Sequence, residues 1–142
     1  MFKTFYSLSH DPFKKEINTD DLYPSDNFKE VKARLDYLKK TRGIGVLVGE
    51  AGSGKTISLR SFADNLNPSL FKVIYFPLST GTVMDFYRGL ALGLGEQPAF
   101  RKIDLFKQIQ HAVLSYFDDQ KITPVFILDE MQLAANKFLN DL

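Results

Sequence analysis

Four glycines fall within ten residues, at positions 45, 49, 52 and 54, and a lysine and a threonine follow at once in "GVLVGEAGSGKT". Neither a helix nor a strand gains from clustered glycine, which costs backbone entropy in both. Such a cluster suits a place where something must come close to the backbone. Residues 49–56, "GEAGSGKT", fit the spacing G-x-x-x-x-G-K-[ST]. A triphosphate tail offers several negative charges and many acceptor oxygens. A helix N-terminus offers unpaired N–H groups and the positive end of a dipole. A loop that curls so that successive N–H groups point inward makes an anion nest, and glycines permit the dihedrals it needs. Gly49, Glu50, Ala51, Gly52, Ser53, Gly54, Lys55 and Thr56 are therefore the expected nucleotide-binding residues. Lys55 supplies a charge for the β- and γ-phosphates. Thr56 supplies a hydroxyl for Mg²⁺, which takes oxygen ligands.

The second half of such a site is expected in "VFILDE", residues 125–130, an apolar strand that ends in two carboxylates. Asp129 at the strand tip would serve the magnesium shell. Glu130 would orient and deprotonate an attacking water, which makes Glu130 and Lys55 the expected catalytic residues. An acidic turn after a strand is also an ordinary solvated feature, and the upstream loop is what favours the chemical reading. His10 and His111 have no partner at catalytic or ligand spacing, so both are read as structural or surface residues.

The rest of the chain reads as alternating helices and apolar strands. A helix is expected from about Phe28 to Lys40, with Asn27 and Glu30 at capping-box spacing and Phe28, Val31, Leu35 and Leu38 on one face. "IGVLV" (44–48) reads as a strand buried on both faces. A helix follows from about Lys55 to Leu66, then a strand at 72–76, a loop from Pro77 to Gly81, and a helix at 82–95 whose small residues allow close packing. An amphipathic helix spans 104–117, with Leu105, Ile109, Ala112, Val113 and Tyr116 inward. A strand covers 125–128, and a last helix starts near Met131. Apolar strands separated by helices predict an α/β fold with a parallel sheet and flanking helices.

Bulk properties narrow the classes. Net charge is +1 over 142 residues, so no bulk attraction to nucleic acid or an anionic membrane is expected. The basic run Lys29, Lys32, Arg34, Lys39, Lys40 and Arg42 is interrupted by Glu30 and Asp36, and reads as an ordinary helix face or a local DNA patch. Cysteine is absent, which removes disulfides, thiolate metal sites and a cysteine nucleophile. No apolar run approaches the ~20 residues of a membrane span, so a cytoplasmic protein without membrane contact is expected.

The aromatic opening "FYSLSHDPF", the "RLDYL" helix and its spacing to "GEAGSGKT" resemble the ExeA-like branch of the AAA+ ATPases, within the P-loop NTPase (ASCE) class. That branch takes in general secretion ATPases and transposition ATPases similar to TniB, TnsC and MuB. The resemblance implies ATP and Mg²⁺ as cofactors, ATP hydrolysis, and a homo-oligomeric ring or filament. With nothing secretion-specific in view, it favours a role in DNA transposition, with double-stranded DNA and a transposase as partners. It also implies that residues 1–24 lie near the adenine, which makes Pro12 and Phe13 pocket candidates; a plain anchoring role fits them equally. The loop "STGT" (79–82), followed by Arg88, matches a region that faces the central channel in DNA-binding relatives, which makes Thr80 and Thr82, with Arg101 or Lys102, the DNA-contact candidates.

The resembled sheet order is 5-1-4-3-2, with 44–48 as strand 1 and 125–128 as strand 3. Strand 4, strand 5, the arginine finger and the helical lid are not read in these 142 residues. Residues 25–142 are thus expected to be an incomplete AAA+ domain, truncated after the strand that carries Asp129. Strands 1 and 3 would stand about 9.6 Å apart, two inter-strand spacings, with no ladder between them. A marginal fold and poor turnover of these residues alone follow from that reading.

Overall fold

A computed structural model describes residues 2–8, 11, 18–77 and 82–133. Pro12, Phe13, Thr80, His10 and the body of the expected last helix lie outside the described residues. The chain divides into two compact units, Met1–Asp64 and Asn65–Leu142.

The first unit is helical. A short α1 (Phe2–Phe5) is followed by a 3-10 turn at Thr19–Asp21, then α2 (Asp26–Thr41) and α3 (Lys55–Asp64). The start of α2 differs from the capping box expected at Asn27. Ser25 is the N-cap, and its hydroxyl accepts from the Phe28 N–H at 3.3 Å. Glu30 pairs with Arg34 one turn on, at 2.5 Å, rather than reaching back. The expected apolar face holds: Phe28, Val31, Leu35 and Leu38 are the half-buried side of an otherwise charged helix. The helix closes at Arg42, which takes the left-handed conformation at φ 52°. Thr19 donates its hydroxyl to Asp64 at 3.1 Å and ties the 3-10 turn to α3.

The strand expected at 44–48 does not form, and its residues are not buried. Ile44, Val46 and Val48 are 97%, 87% and 85% exposed. A strand exists only where a neighbour takes its N–H and C=O groups, and β-propensity alone does not hold one. Among the described residues, 44–48 has no ladder partner.

The second unit carries the sheet. β1 (Phe71–Pro77) and β2 (Thr123–Asp129) pair in parallel, in a register that sets Tyr75 beside Ile127 and Pro77 beside Asp129. This is the 2-beside-3 adjacency of the expected order. Parallel strands require a crossover, and α4 (Val83–Gly93) and α5 (Lys102–Asp118) lie between them in the chain. Ile74 joins Phe86, Tyr87, Leu90, Ala91, Leu94, Leu105 and Ala112 in the core. All five residues expected on the inner face of α5 pack there: Leu105 and Ala112 fully, with Ile109, Val113 and Tyr116 against them.

The small residues of α4 set how closely it lies on β1. A β-carbon at Gly89 would stand 2.2 Å from Phe76 Cε2, and one at Gly93 would stand 2.6 Å from Ile74 Cγ2. The Gly93 contact is the stiffer one, because a β-branched side chain anchored on a strand cannot swing away. Overpacking of this kind typically costs about 1–3 kcal/mol, more than the fraction of a kcal/mol alanine returns at a helix end. Gly93→Ala should therefore lower stability by about 1–2 kcal/mol, read as a reduced urea midpoint with an unchanged slope.

Candidate functional site

The phosphate loop follows from local backbone demands. Gly52 and Gly54 have φ of 78° and 87°, in the left-handed region where a β-carbon is strained. Gly49 lies close to Ser53: a β-carbon there would stand 2.8 Å from Ser53 Oγ, so that hydroxyl would have to turn aside. The loop closes through the Ser53 N–H, which donates to the Glu50 carbonyl at 3.2 Å. It opens directly into α3, whose first residues are Lys55 and Thr56. Ser58 fastens the junction, since both its N–H and its hydroxyl donate to the Gly54 carbonyl, at 3.0 and 2.9 Å. Ser58 and Ser61 are the buried residues of α3, while Ile57, Leu59, Phe62 and Ala63 are half-buried.

Lys55 folds back over this loop. Its ammonium donates to the carbonyls of Gly49 and Glu50 at 2.8 and 2.7 Å. A flexible point charge is thus held at the loop by two neutral acceptors, which phosphate oxygens would replace with charged ones. The nest-forming glycines, the helix N-terminus and the lysine together fit a polyphosphate.

The acidic pair sits at the end of β2. Asp129 is 7% exposed, and its carboxylate is held from two sides. The Tyr75 hydroxyl donates to Oδ2 at 2.6 Å, and the Glu130 N–H donates to Oδ1 at 2.9 Å. Glu130 turns the chain with φ at 59°, a conformation that costs a residue with a β-carbon roughly 1–2 kcal/mol. The Gln132 side-chain amide donates to Glu130 Oε2. Mg²⁺ usually keeps several waters and takes one or two carboxylates beside substrate phosphates. The Asp129 carboxylate is a group of that kind.

Sequence reasoning missed Tyr75 and Gln132. Tyr75 reads simply as part of the apolar run "KVIYF"; only the β1–β2 register brings it to Asp129, 54 residues away. Gln132 could have been noticed from its place two residues past Glu130.

The DNA-contact candidates among the described residues all have partners within the fold. Thr82 is the N-cap of α4 and forms a capping box with Asp85. Its hydroxyl donates to Asp85 Oδ2 at 2.6 Å. That bond, with the Thr82 N–H behind it, holds the Asp85 carboxyl below the usual aspartate range. The stabilisation this gives is present above the unfolded-state pKa of about 3.9 and is lost as pH falls through the folded value. Arg101 donates to Asp104 at 2.9 Å, which raises its already high pKa. The Lys102 ammonium lies 5.8 Å from the Tyr87 ring centroid.

A family model described as an AAA domain matches residues 38–142, from the end of α2 through the phosphate loop to the acidic pair and beyond. The chain belongs to the AAA domain family. It is also similar to General secretion pathway protein A of Aeromonas hydrophila, at 36% identity over 76 residues. That stretch is 53% of this chain and 14% of the relative, so the chain spans a small part of that protein's length. No solved structure matches. The family fits the small parallel sheet and mixed α/β architecture observed. Among the described residues, no helix is long and apolar enough to cross a membrane.

Proposed function

We propose that this AAA domain binds Mg·ATP through residues 49–56 and hydrolyses it, as a module of the secretion-pathway type. The observation that carries the reading is the loop itself: left-handed Gly52 and Gly54, a close-packed Gly49, and the Lys55 ammonium held on the Gly49 and Glu50 carbonyls. In this reading, backbone N–H groups at the start of α3 receive the phosphates and Lys55 moves from the carbonyls onto them. Thr56 and Asp129 would each offer oxygen to magnesium, which when bound would supply positive charge against the phosphates. Glu130 takes a proton from the water that attacks the γ-phosphorus. Assembly into a ring or filament of copies belongs to the same reading.

The secretion-type alternative replaces transposition as the favoured role. The named relative is a secretion-pathway protein, and neither comparison points to a transposase or to DNA. Thr82, Arg101 and Lys102, the described residues that suggested DNA, are engaged with Asp85, Asp104 and Tyr87. The test is a magnesium-dependent ATPase assay with and without duplex DNA. The expected result is phosphate release that DNA does not change. DNA binding that weakens steeply with salt, together with an altered rate, would restore the transposition reading. Failure to bind ATP at all would remove both.

A further inference from the structure

We infer that Tyr75 is a positioning residue for magnesium: its hydroxyl holds the Asp129 carboxylate that would serve the metal. The inference rests on the nucleotide-binding reading above and extends it to a residue outside the motifs. The pieces are local to one sheet. Side chains alternate along a strand, so Tyr75 on β1 and Ile127 and Asp129 on β2 share one face, opposite Ile74 and Phe76. The parallel register brings Tyr75 alongside Ile127, two residues before Asp129. From there the phenol reaches diagonally along the sheet and donates to Asp129 Oδ2 at 2.6 Å.

The chemistry favours a role beyond filling space. Asp129 is almost wholly buried, and a buried carboxylate must be hydrogen-bonded. The backbone N–H of Glu130 donates to Oδ1 from the adjacent residue. The Tyr75 hydroxyl donates to the other oxygen from a different strand, so the two bonds together fix the plane of the carboxylate. An aspartate side chain that is already oriented would lose less freedom on engaging a metal ion. Groups that hydrogen-bond a metal-binding carboxylate commonly account for a 10–100-fold difference in metal affinity. Phenylalanine at 75 would keep the ring and lose only the donor.

The experiment measures binding rather than turnover. A fluorescent ATP analogue is titrated into the protein with EDTA, and then across a magnesium series, for the parent, Tyr75→Phe, Asp129→Asn and the double variant. Thermal melting is recorded alongside. The expected result is metal-free nucleotide affinity within about twofold of the parent for Tyr75→Phe, and a magnesium half-saturation about tenfold higher. In the Asp129→Asn background, Tyr75→Phe should add nothing further, because the residue acts through that carboxylate. An unchanged magnesium half-saturation in Tyr75→Phe would overturn the inference, as would an equal loss with and without Asp129. A parent that binds the analogue neither with nor without magnesium would instead overturn the nucleotide-binding reading.

Discussion

Lys55→Ala lowers ATP affinity by roughly 30-fold to several-thousand-fold, the largest effect on binding expected of a single substitution. In the free protein the ammonium makes two hydrogen bonds, to the Gly49 and Glu50 carbonyls. Each is worth about 1 kcal/mol net, and the loop's shape rests more on Gly52 and Gly54 than on the lysine. The variant should therefore fold with a modest loss of stability. In the complex the same ammonium faces several phosphate oxygens. Removing one partner of a desolvated charge pair costs about 2–5 kcal/mol, which is roughly a 30-fold to several-thousand-fold loss of affinity. Arginine should not rescue it, because a planar fork cannot sit where a compact ammonium reaches two carbonyls 2.7–2.8 Å away. Calorimetric titration of ATP into the parent and the variant measures the difference directly, and parental affinity in the variant would place the phosphates elsewhere.

The second large effect is a split between binding and chemistry. Glu130→Gln should bind Mg·ATP within a few-fold of the parent and hydrolyse it about 10²–10⁴-fold more slowly, the range general-base removal usually gives. Glutamine matches glutamate in size, and its amide oxygen can still accept from Gln132, as Glu130 Oε2 does. The backbone of residue 130, already in the left-handed region, keeps its bond to Asp129 Oδ1. What is lost is the capacity to take a proton. Single-turnover phosphate release after rapid mixing separates this from slow product release. A variant as fast as the parent would remove Glu130 from the mechanism and leave Lys55 and the loop untouched.

How far the sequence could be read depended on how local each signal was. The loop at 49–56 is one contiguous motif, and its demand for left-handed dihedrals at Gly52 and Gly54 is intrinsic to those residues. The inner face of α5 was legible for the same reason, since 3.6-residue periodicity alone selects Leu105, Ile109, Ala112, Val113 and Tyr116. The strand at 44–48 misled because a β-branched apolar run records a preference for a pleated, half-buried surface; it says nothing about whether a neighbour supplies the ladder. The Asn27–Glu30 spacing places the helix start two residues late: Ser25 is the cap of a helix that carries Asp26 in its first turn. The Tyr75–Asp129 bond was out of reach, because it needs the register of two strands whose pairing no local pattern encodes.

A crystal structure with a non-hydrolysable ATP analogue and magnesium tests the central claim most directly. It should show the β- and γ-phosphates enclosed by residues 49–56, against the N-terminus of α3. The Lys55 ammonium should have left the Gly49 and Glu50 carbonyls for phosphate oxygens. A loop with no phosphate density, or an ammonium still bonded to those two carbonyls while the analogue sits elsewhere, would contradict the account.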